Sequence, residues 1–206
     1  MHARSTTVRG APHAVADGIT RVRDHAWPTL QDLEGCIGLS MLADRGSGRC
    51  IVTTAWDREE AMRRHGESAG ALRTDAARVL GGEPEIAEWE IARLHRVRPA
   101  GDGACVRLTV GQSRPEQLDR DLDVYTYSMV PELEDVPGFC SVSQFVDRHT
   151  GRSATAVCYA GRSTMDRSTG QIAAMREEYT QMTGVRVLEV AEFDLVVAHL
   201  RVPEMV

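Results

Sequence analysis

Apolar residues recur in steps of four and three along two stretches of the chain, which is the spacing of one buried face of an α-helix. One stretch follows Pro12, and the other follows Pro115, 103 residues later. We therefore predict the same amphipathic helix in each half, with a kink or break at Pro28 and at Pro131, where a proline interrupts the pattern. The two stripes are Val15, Ile19, Val22, Ala26, Leu30 and Leu33, and Leu118, Leu122, Tyr125, Met129, Leu133 and Val136.

A second helical stripe follows in each half, and a glycine ends it at Gly81 and at Gly184. Between the two helices, alternating apolar and polar residues predict a β-hairpin, with turn chemistry at Asp44 and Gly48 in the first half. A strand before the first helix and another after the second complete the order βαββαβ. The second stripes are Met62, His65, Ala69, Leu72, Ala76 and Val79, and Met165, Ser168, Ile172, Met175, Tyr179 and Met182.

The two halves are a repeat with a constant offset of 103 residues. The repeated segments are Pro28–Gly35 with Pro131–Gly138, and Asp44–Arg49 with Asp147–Arg152. Such repetition is typical of a unit that buries its apolar face against a copy of itself. The order βαββαβ is ferredoxin-like and leaves one face of the sheet bare. We therefore predict an α+β protein of two ferredoxin-like repeats, 1–98 and 104–206, packed sheet-to-sheet as an intrachain dimeric α+β barrel.

Composition excludes several classes of function. The 206 residues carry a net charge of −6, whereas nucleic-acid-binding proteins usually present a basic patch. All 24 basic residues are arginine and asparagine is absent, so no Schiff-base lysine and no asparagine side chain can take part in chemistry. No apolar run reaches the roughly 18 residues of a membrane span, and the first residues do not resemble a signal peptide. The cysteines and histidines lack metal-ligand spacing. We expect a reduced, cytoplasmic protein without metal or cofactor.

One titratable side chain, His65, lies in the second helical stripe and is the candidate catalytic base. A neutral imidazole on an apolar face can accept a proton from a substrate, although a core histidine bonded to a carbonyl is the alternative. Candidate substrate-binding residues are Trp56, Trp89, Trp27, Met62 and Ala69 in the first repeat, and Tyr179, Tyr159 and Tyr125 in the second. For each aromatic residue, packing in the core is the alternative role.

Residues 33–62 and 136–165 carry a resemblance to a known family. Each has a glycine and apolar residues opening a strand, an aspartate before the hairpin turn, and an aromatic residue ending the next strand. The first repeat continues from Trp56 through acidic residues to Ala61, whereas the second departs from this pattern after Tyr159. The chain resembles, over nearly its whole length as two domains, the antibiotic biosynthesis monooxygenase family of dimeric α+β barrels.

The resembling family includes cofactor-free oxygenases of aromatic polyketides, haem-degrading monooxygenases and many proteins of unknown role. The haem-degrading branch uses an asparagine, a tryptophan and a histidine. This chain has no asparagine, and Arg64 and Thr74 occupy the places of the other two. The second repeat has Arg167 and Glu177 there, so we expect no haem turnover.

Two functions remain open from the sequence. One is a cofactor-independent monooxygenase acting on an aromatic or polycyclic small molecule, with His65 as its base. The other is a non-catalytic protein that binds a hydrophobic ligand or serves as a scaffold, and in both cases whole chains could pair further as homodimers. We expect the pocket between helix and sheet in the first repeat, because Ala69 and Ala76 leave room there, whereas Ile172 and Tyr179 fill the second.

Overall fold

Both repeats fold in the predicted order, as a computed structural model that describes residues 1–205 shows. The first repeat contains β1 (His2–Arg9), α1 (Val15–Arg21), α2 (Trp27–Leu30), β2 (Cys36–Asp44), β3 (Arg49–Trp56), α3 (Glu59–Arg64), α4 (Gly66–Leu80) and β4 (Pro84–Arg96). The second contains β5 (Cys105–Gln112), α5 (Leu118–Val124), α6 (Val130–Glu134), β6 (Phe139–Asp147), β7 (Arg152–Tyr159), α7 (Arg162–Arg167), α8 (Thr169–Thr183) and β8 (Arg186–Leu200). Short 3-10 turns precede α1 and α5.

The chain divides into two compact units. Unit 1 comprises Met1–Trp89 and Leu195–Val202, and unit 2 comprises Glu90–Asp194 with residues 203–205. Each unit has a mostly antiparallel sheet with helices against it, so the predicted α+β fold class with ferredoxin-like repeats is confirmed. The limits 1–98 and 104–206 remain our proposal for the duplicated sequence unit.

In unit 1, β3 is the middle strand and pairs antiparallel with both β1 and β2. Because side chains alternate along a strand, one face of this sheet is apolar and meets the helices. Val197, near the end of β8, joins the same core. The other large side chains of that core are Val8, Val15, Ile19, Val22, Leu30, Leu39, Met41 and Leu80.

In unit 2, β7 is the middle strand and pairs antiparallel with β5 and β6. The sheet continues on one side through residues 90–96 of β4, which pair with β6, and on the other through residues 186–194 of β8, which pair with β5. Its main core lies between this sheet and the helices. It contains Tyr125, Met129, Leu133, Val136, Phe139, Val142, Val157, Tyr159, Met165, Ile172 and Met175.

The first helix of each repeat changes its winding just before the predicted interruption. Val22–Ala26 and Tyr125–Met129 are π-helical turns, each lying between two α-helical segments. Pro28 and Pro131 follow closely, and neither can donate the backbone N–H that an uninterrupted α-helix requires. The interruption predicted at both prolines is therefore present as a π-turn, a feature often found at functional sites.

The second helix is broken in two, which the apolar stripe did not predict. α3 ends and α4 begins at His65, whose φ of −91° and ψ of 16° leave the α-helical region. Ser168 occupies the equivalent junction between α7 and α8. Met62 and Ala69 lie on either side of the break and are both buried. The apolar periodicity therefore continues across the break, and the sequence pattern alone predicts one helix where the structure has two.

Two further expectations concern the chain as a whole. Among the described residues, no helix combines the length and the apolar character that a membrane span requires. All five cysteines are free thiols, as expected of a reduced protein, and four of them are buried, where a thiol packs like a small apolar side chain.

Candidate functional site

Unit 2 contains a cavity of about 70 Å³ between its helices and its sheet. α5 and the π-turn Tyr125–Met129 form one wall, α8 forms another, and β5, β6 and β7 form the floor. The apolar lining is Leu118, Leu122, Met129, Leu133, Val157, Ile172, Met175, Val185 and Val187. The polar lining is Arg107, Thr109, Ser113, Asp121, Gln144, Ser153, Thr155 and Arg176, together with Tyr125 and Tyr179.

A row of polar side chains crosses the floor of this cavity. Thr109 on β5 is in register with Thr155 on β7, which is in register with Gln144 on β6. Gln144 is only 5% exposed, and its Oε1 accepts no hydrogen bond from the described residues. Buried side-chain oxygens of folded proteins nearly always have a donor, so this atom is available to a bound molecule.

Asp121 of α5 brings a carboxylate into the same cavity. It is 2% exposed, and neither of its oxygens has a partner of good geometry among the described residues. Burial raises the pKa of this carboxyl, because the charged form loses its hydration. The Ser113 hydroxyl, Arg120 and Arg114 act in the opposite direction without cancelling that effect. A carboxylate with a raised pKa is a stronger base than one in water.

Arg107 of β5 is held firmly on the cavity wall. Its Nε and Nη2 donate to Glu192 Oε1 at 3.0 and 2.8 Å, and Nη2 also donates to the Thr169 hydroxyl at 2.8 Å. The guanidinium lies 5.7 Å from the centre of the Tyr159 ring. Its Nη1 has no partner among the described residues, so one donor group of a fixed arginine remains available.

Two tyrosines form the aromatic wall of the cavity. The rings of Tyr125 and Tyr179 meet edge to face, with centroids 5.4 Å apart. The Tyr179 hydroxyl donates to the backbone carbonyl of Asp121 at 3.1 Å, which ties α8 to α5. Burial raises the pKa of both phenols, so they remain protonated at neutral pH.

The equivalent space in unit 1 is smaller, with a cavity of about 30 Å³. Leu80 fills it by packing against Gly18, where an added Cβ would lie only 2.3 Å from Leu80 Cδ2. At the positions 103 residues later, unit 2 has Thr183 and Asp121. This leucine-on-glycine packing therefore cannot form in unit 2.

Other lining positions differ between the units in the same direction. From unit 1 to unit 2, Val8 becomes Gly111, Met41 becomes Gln144, Cys50 becomes Ser153 and Val52 becomes Thr155. The expectation that the larger pocket lies in the first repeat is therefore wrong. Tyr179 was expected to fill the space in the second repeat, but it forms a wall of the cavity there. In unit 1, Leu80 closes the equivalent space.

Three of the predicted site residues come together in unit 1. The His65 ring stacks against Trp56, with centroids 5.8 Å apart, and its buried Nε2 has no hydrogen-bond partner among the described residues. Trp56 is fully buried and donates its Nε1 to the Thr54 hydroxyl at 3.0 Å. Met62 packs beside Trp56. Of the predicted residues, only Ala69 lines the unit 1 cavity.

The remaining predicted tryptophans make their contacts elsewhere in unit 1. Trp89 donates its Nε1 to the Ser5 hydroxyl at 2.8 Å. The Trp27 ring stacks on the ring of His199 at 4.8 Å. Of the predicted tyrosines, Tyr125 and Tyr179 line the unit 2 cavity, whereas Tyr159 is fully buried under Arg107.

Comparison with known proteins places the chain in a family. The sequence profile of the family described as "Antibiotic biosynthesis monooxygenase" matches residues 1–77. The uncharacterized protein Rv2558 of Mycobacterium tuberculosis H37Rv is 44% identical over 207 residues, which cover 100% of this chain and 88% of that protein. Over its first repeat, the chain matches the antibiotic biosynthesis monooxygenase family.

Two solved structures share the fold of the chain over nearly its whole length. A candidate monooxygenase from Lactobacillus acidophilus NCFM has a TM-score of 0.71 at 12% identity, over 97% of this chain and 96% of that one. An anthrone oxidase-like protein has a TM-score of 0.69 at 13% identity, over 99% of this chain and 95% of that one. Identities this low show the fold alone.

The family profile ends at residue 77, inside α4, so it covers the repeat with the smaller cavity. The polar residues of the larger cavity, Asp121 and Gln144 above all, were missed by sequence reasoning. A signal for them was present, because their partners at the offset of 103 are Gly18 and Met41. A polar residue in one copy of a repeated core, where the other copy has an apolar residue or glycine, indicates a position at which the two copies have different roles.

Proposed function

We propose that this protein is a cofactor-independent monooxygenase that acts on a small aromatic molecule bound in the unit 2 cavity. The observation that carries the proposal is the Asp121 carboxylate, which is buried in a largely apolar space, has a raised pKa and has no hydrogen-bond partner of good geometry among the described residues. A largely apolar space strengthens a carboxylate base, because the charged form loses part of its hydration there. The monooxygenase-like fold supports the reaction class, while the site supports the role of the residues.

In this proposal Asp121 replaces His65 as the base. The carboxylate takes a proton from an acidic O–H or C–H group of the aromatic ligand, and the resulting anion passes its electrons to O₂. At an activated methylene group, one oxygen atom becomes the new carbonyl and the other leaves as water. The methylene compound and O₂ thus give the ketone and H₂O, and no further reductant is required.

The size of the cavity favours a single ring over a polycyclic ligand. About 70 Å³ is less than the ~150 Å³ of a protein cavity known to accept benzene, so a ring enters only when the walls adjust. Met129 and Met175 line the cavity, and methionine side chains adapt readily because they have three rotatable bonds. The equivalent positions in unit 1 are Ala26 and Leu72.

The alternative is a ligand-binding protein without chemistry. Its support is that the buried acceptors Asp121 and Gln144 would bind donor groups of a ligand equally well if no reaction followed. His65, the only candidate base found from sequence, lines neither the 70 Å³ cavity nor the 30 Å³ cavity.

Oxygen consumption separates the two functions. A panel of single-ring phenols and activated methylene compounds is tested with an oxygen electrode, and product oxygen is traced with ¹⁸O₂. We expect Asp121→Asn to lower turnover at least a hundredfold, the usual contribution of a general base, while ligand binding survives. His65→Leu, the matched control in unit 1, should retain activity.

Binding without oxygen uptake would favour the non-catalytic alternative. Full activity of Asp121→Asn, or loss of activity with His65→Leu, would contradict the assignment of the base.

A further inference from the structure

The unit 2 cavity contains more buried acceptors than the protein satisfies. Asp121 is 2% exposed and Gln144 is 5% exposed, and three of their oxygens lack a donor among the described residues. A buried oxygen without a donor destabilises the folded state, because it has given up its hydrogen bonds to water. The same positions in unit 1 are Gly18 and Met41, which present no such oxygen, so the fold itself does not require these acceptors.

Water can satisfy the acceptors when no ligand is present. The cavity volume of about 70 Å³ exceeds the ~10–15 Å³ that one water needs, so several waters fit. A ligand that enters must displace them. A hydroxyl group placed at either acceptor restores the lost hydrogen bond, whereas a methyl group of the same size leaves the oxygen unpaired.

The charges around the cavity favour an uncharged ligand. Arg107 is already neutralised by its ion pair with Glu192. The half-buried Arg176 and the Asp121 carboxylate line the same space with opposite charges. An ionic ligand would therefore lose its hydration and gain no net opposite charge in return.

We propose that the unit 2 cavity selects an uncharged, ring-sized ligand with two hydrogen-bond donors, one for the Asp121 carboxylate and one for the Gln144 amide oxygen. The inference rests on the proposed function only in placing the ligand in this cavity. Asp121 and Gln144 then determine specificity whether or not a reaction follows.

The test uses three probes of nearly equal size on the full-length protein. Resorcinol has two hydroxyl groups, m-cresol has one with a methyl group in place of the other, and m-xylene has two methyl groups. Affinity is measured by calorimetry, with NMR shifts of the Tyr125 and Tyr179 rings reporting where each probe binds. We expect affinity to fall about tenfold with each hydroxyl removed, the range typical of one buried hydrogen bond.

Gln144→Met tests the second acceptor with the residue that unit 1 carries at the same place. It should remove the advantage of resorcinol over m-cresol and leave m-cresol at least as tightly bound as before. The matched control, Met41→Gln in unit 1, should leave all three affinities unchanged. If Gln144→Met does not fold, Gln144→Leu gives the same comparison.

Equal affinity for the three probes, or no binding of any, would overturn the inference, as would an unchanged preference for resorcinol in folded Gln144→Met. Oxygen uptake is recorded in the same samples. A donor preference without oxygen consumption refutes the proposed chemistry and leaves the selection by Asp121 and Gln144 standing.

Discussion

Replacing Thr183 with leucine tests directly why one cavity is open and the other nearly closed. The introduced side chain is the one that Leu80 contributes in unit 1, where it packs on Gly18. By the offset of 103, the unit 2 equivalent of Gly18 is Asp121, which has side-chain atoms where Gly18 has none. We therefore expect Thr183→Leu alone to overpack the site, and Asp121→Gly to relieve the clash.

The magnitude follows from the contacts that change. Overpacking a core costs about 1–3 kcal/mol. Thr183→Leu also removes the hydroxyl that accepts from the Val185 N–H at 3.3 Å, which costs about 1 kcal/mol more. Asp121→Gly alone lowers helix propensity by only about 0.3 kcal/mol, and removal of the buried carboxylate acts in the opposite direction. In the double variant, leucine meets glycine as it does in unit 1. The double variant should therefore be about 1–3 kcal/mol more stable than the sum of the two single changes predicts.

The assay is thermal unfolding of the four proteins of this double-mutant cycle, followed by calorimetry. In a chain of this length, 1 kcal/mol corresponds to a change in Tm of about 2–4 °C. Additivity within about 0.5 kcal/mol would show that the two positions do not meet in unit 2, and the explanation of the cavity would then be wrong.

Three further outcomes are expected. Asp121→Asn should raise the Tm at neutral pH, because it removes a carboxylate whose charged form burial disfavours. The folded protein binds the Asp121 proton more tightly than the unfolded chain does, so wild-type stability falls as the pH rises from 3.8 through the folded pKa. The stability advantage of Asp121→Asn should therefore vanish in acid. A difference in Tm between variant and wild type that stays constant with pH would contradict this. Leu80→Thr should open a cavity in unit 1 and lower stability by about 2–4 kcal/mol, and an unchanged Tm would show that Leu80 is not what closes it. Mixing the protein with haem and a reductant should leave the Soret band as in a protein-free control, whereas a bilin product would refute the exclusion based on the missing asparagine.

The fold could be predicted from sequence because its signals are local and occur twice. The stripes at Val15 and Leu118, the hairpin turn at Asp44 and the prolines Pro28 and Pro131 each lead to one structural conclusion. The break at His65 was missed because the buried positions keep a helical phase across it. The larger cavity was assigned to the wrong repeat because the space in unit 1 is closed by a contact between two helices, Leu80 on Gly18. The periodicity of a single helix cannot reveal such a contact.

The polar lining of the unit 2 cavity, at positions that are apolar in unit 1, is better explained by the proposed binding role than by random sequence change. Random loss of packing in a core would leave voids lined by apolar atoms. In unit 2 the larger cavity instead has Gln144, Thr155 and Ser153 where unit 1 has Met41, Val52 and Cys50. Each unpaired buried acceptor destabilises the folded state, and this is why we propose that a bound molecule supplies the missing donors. Duplication allows this, because the closed core of unit 1 keeps the apolar packing that unit 2 has given up.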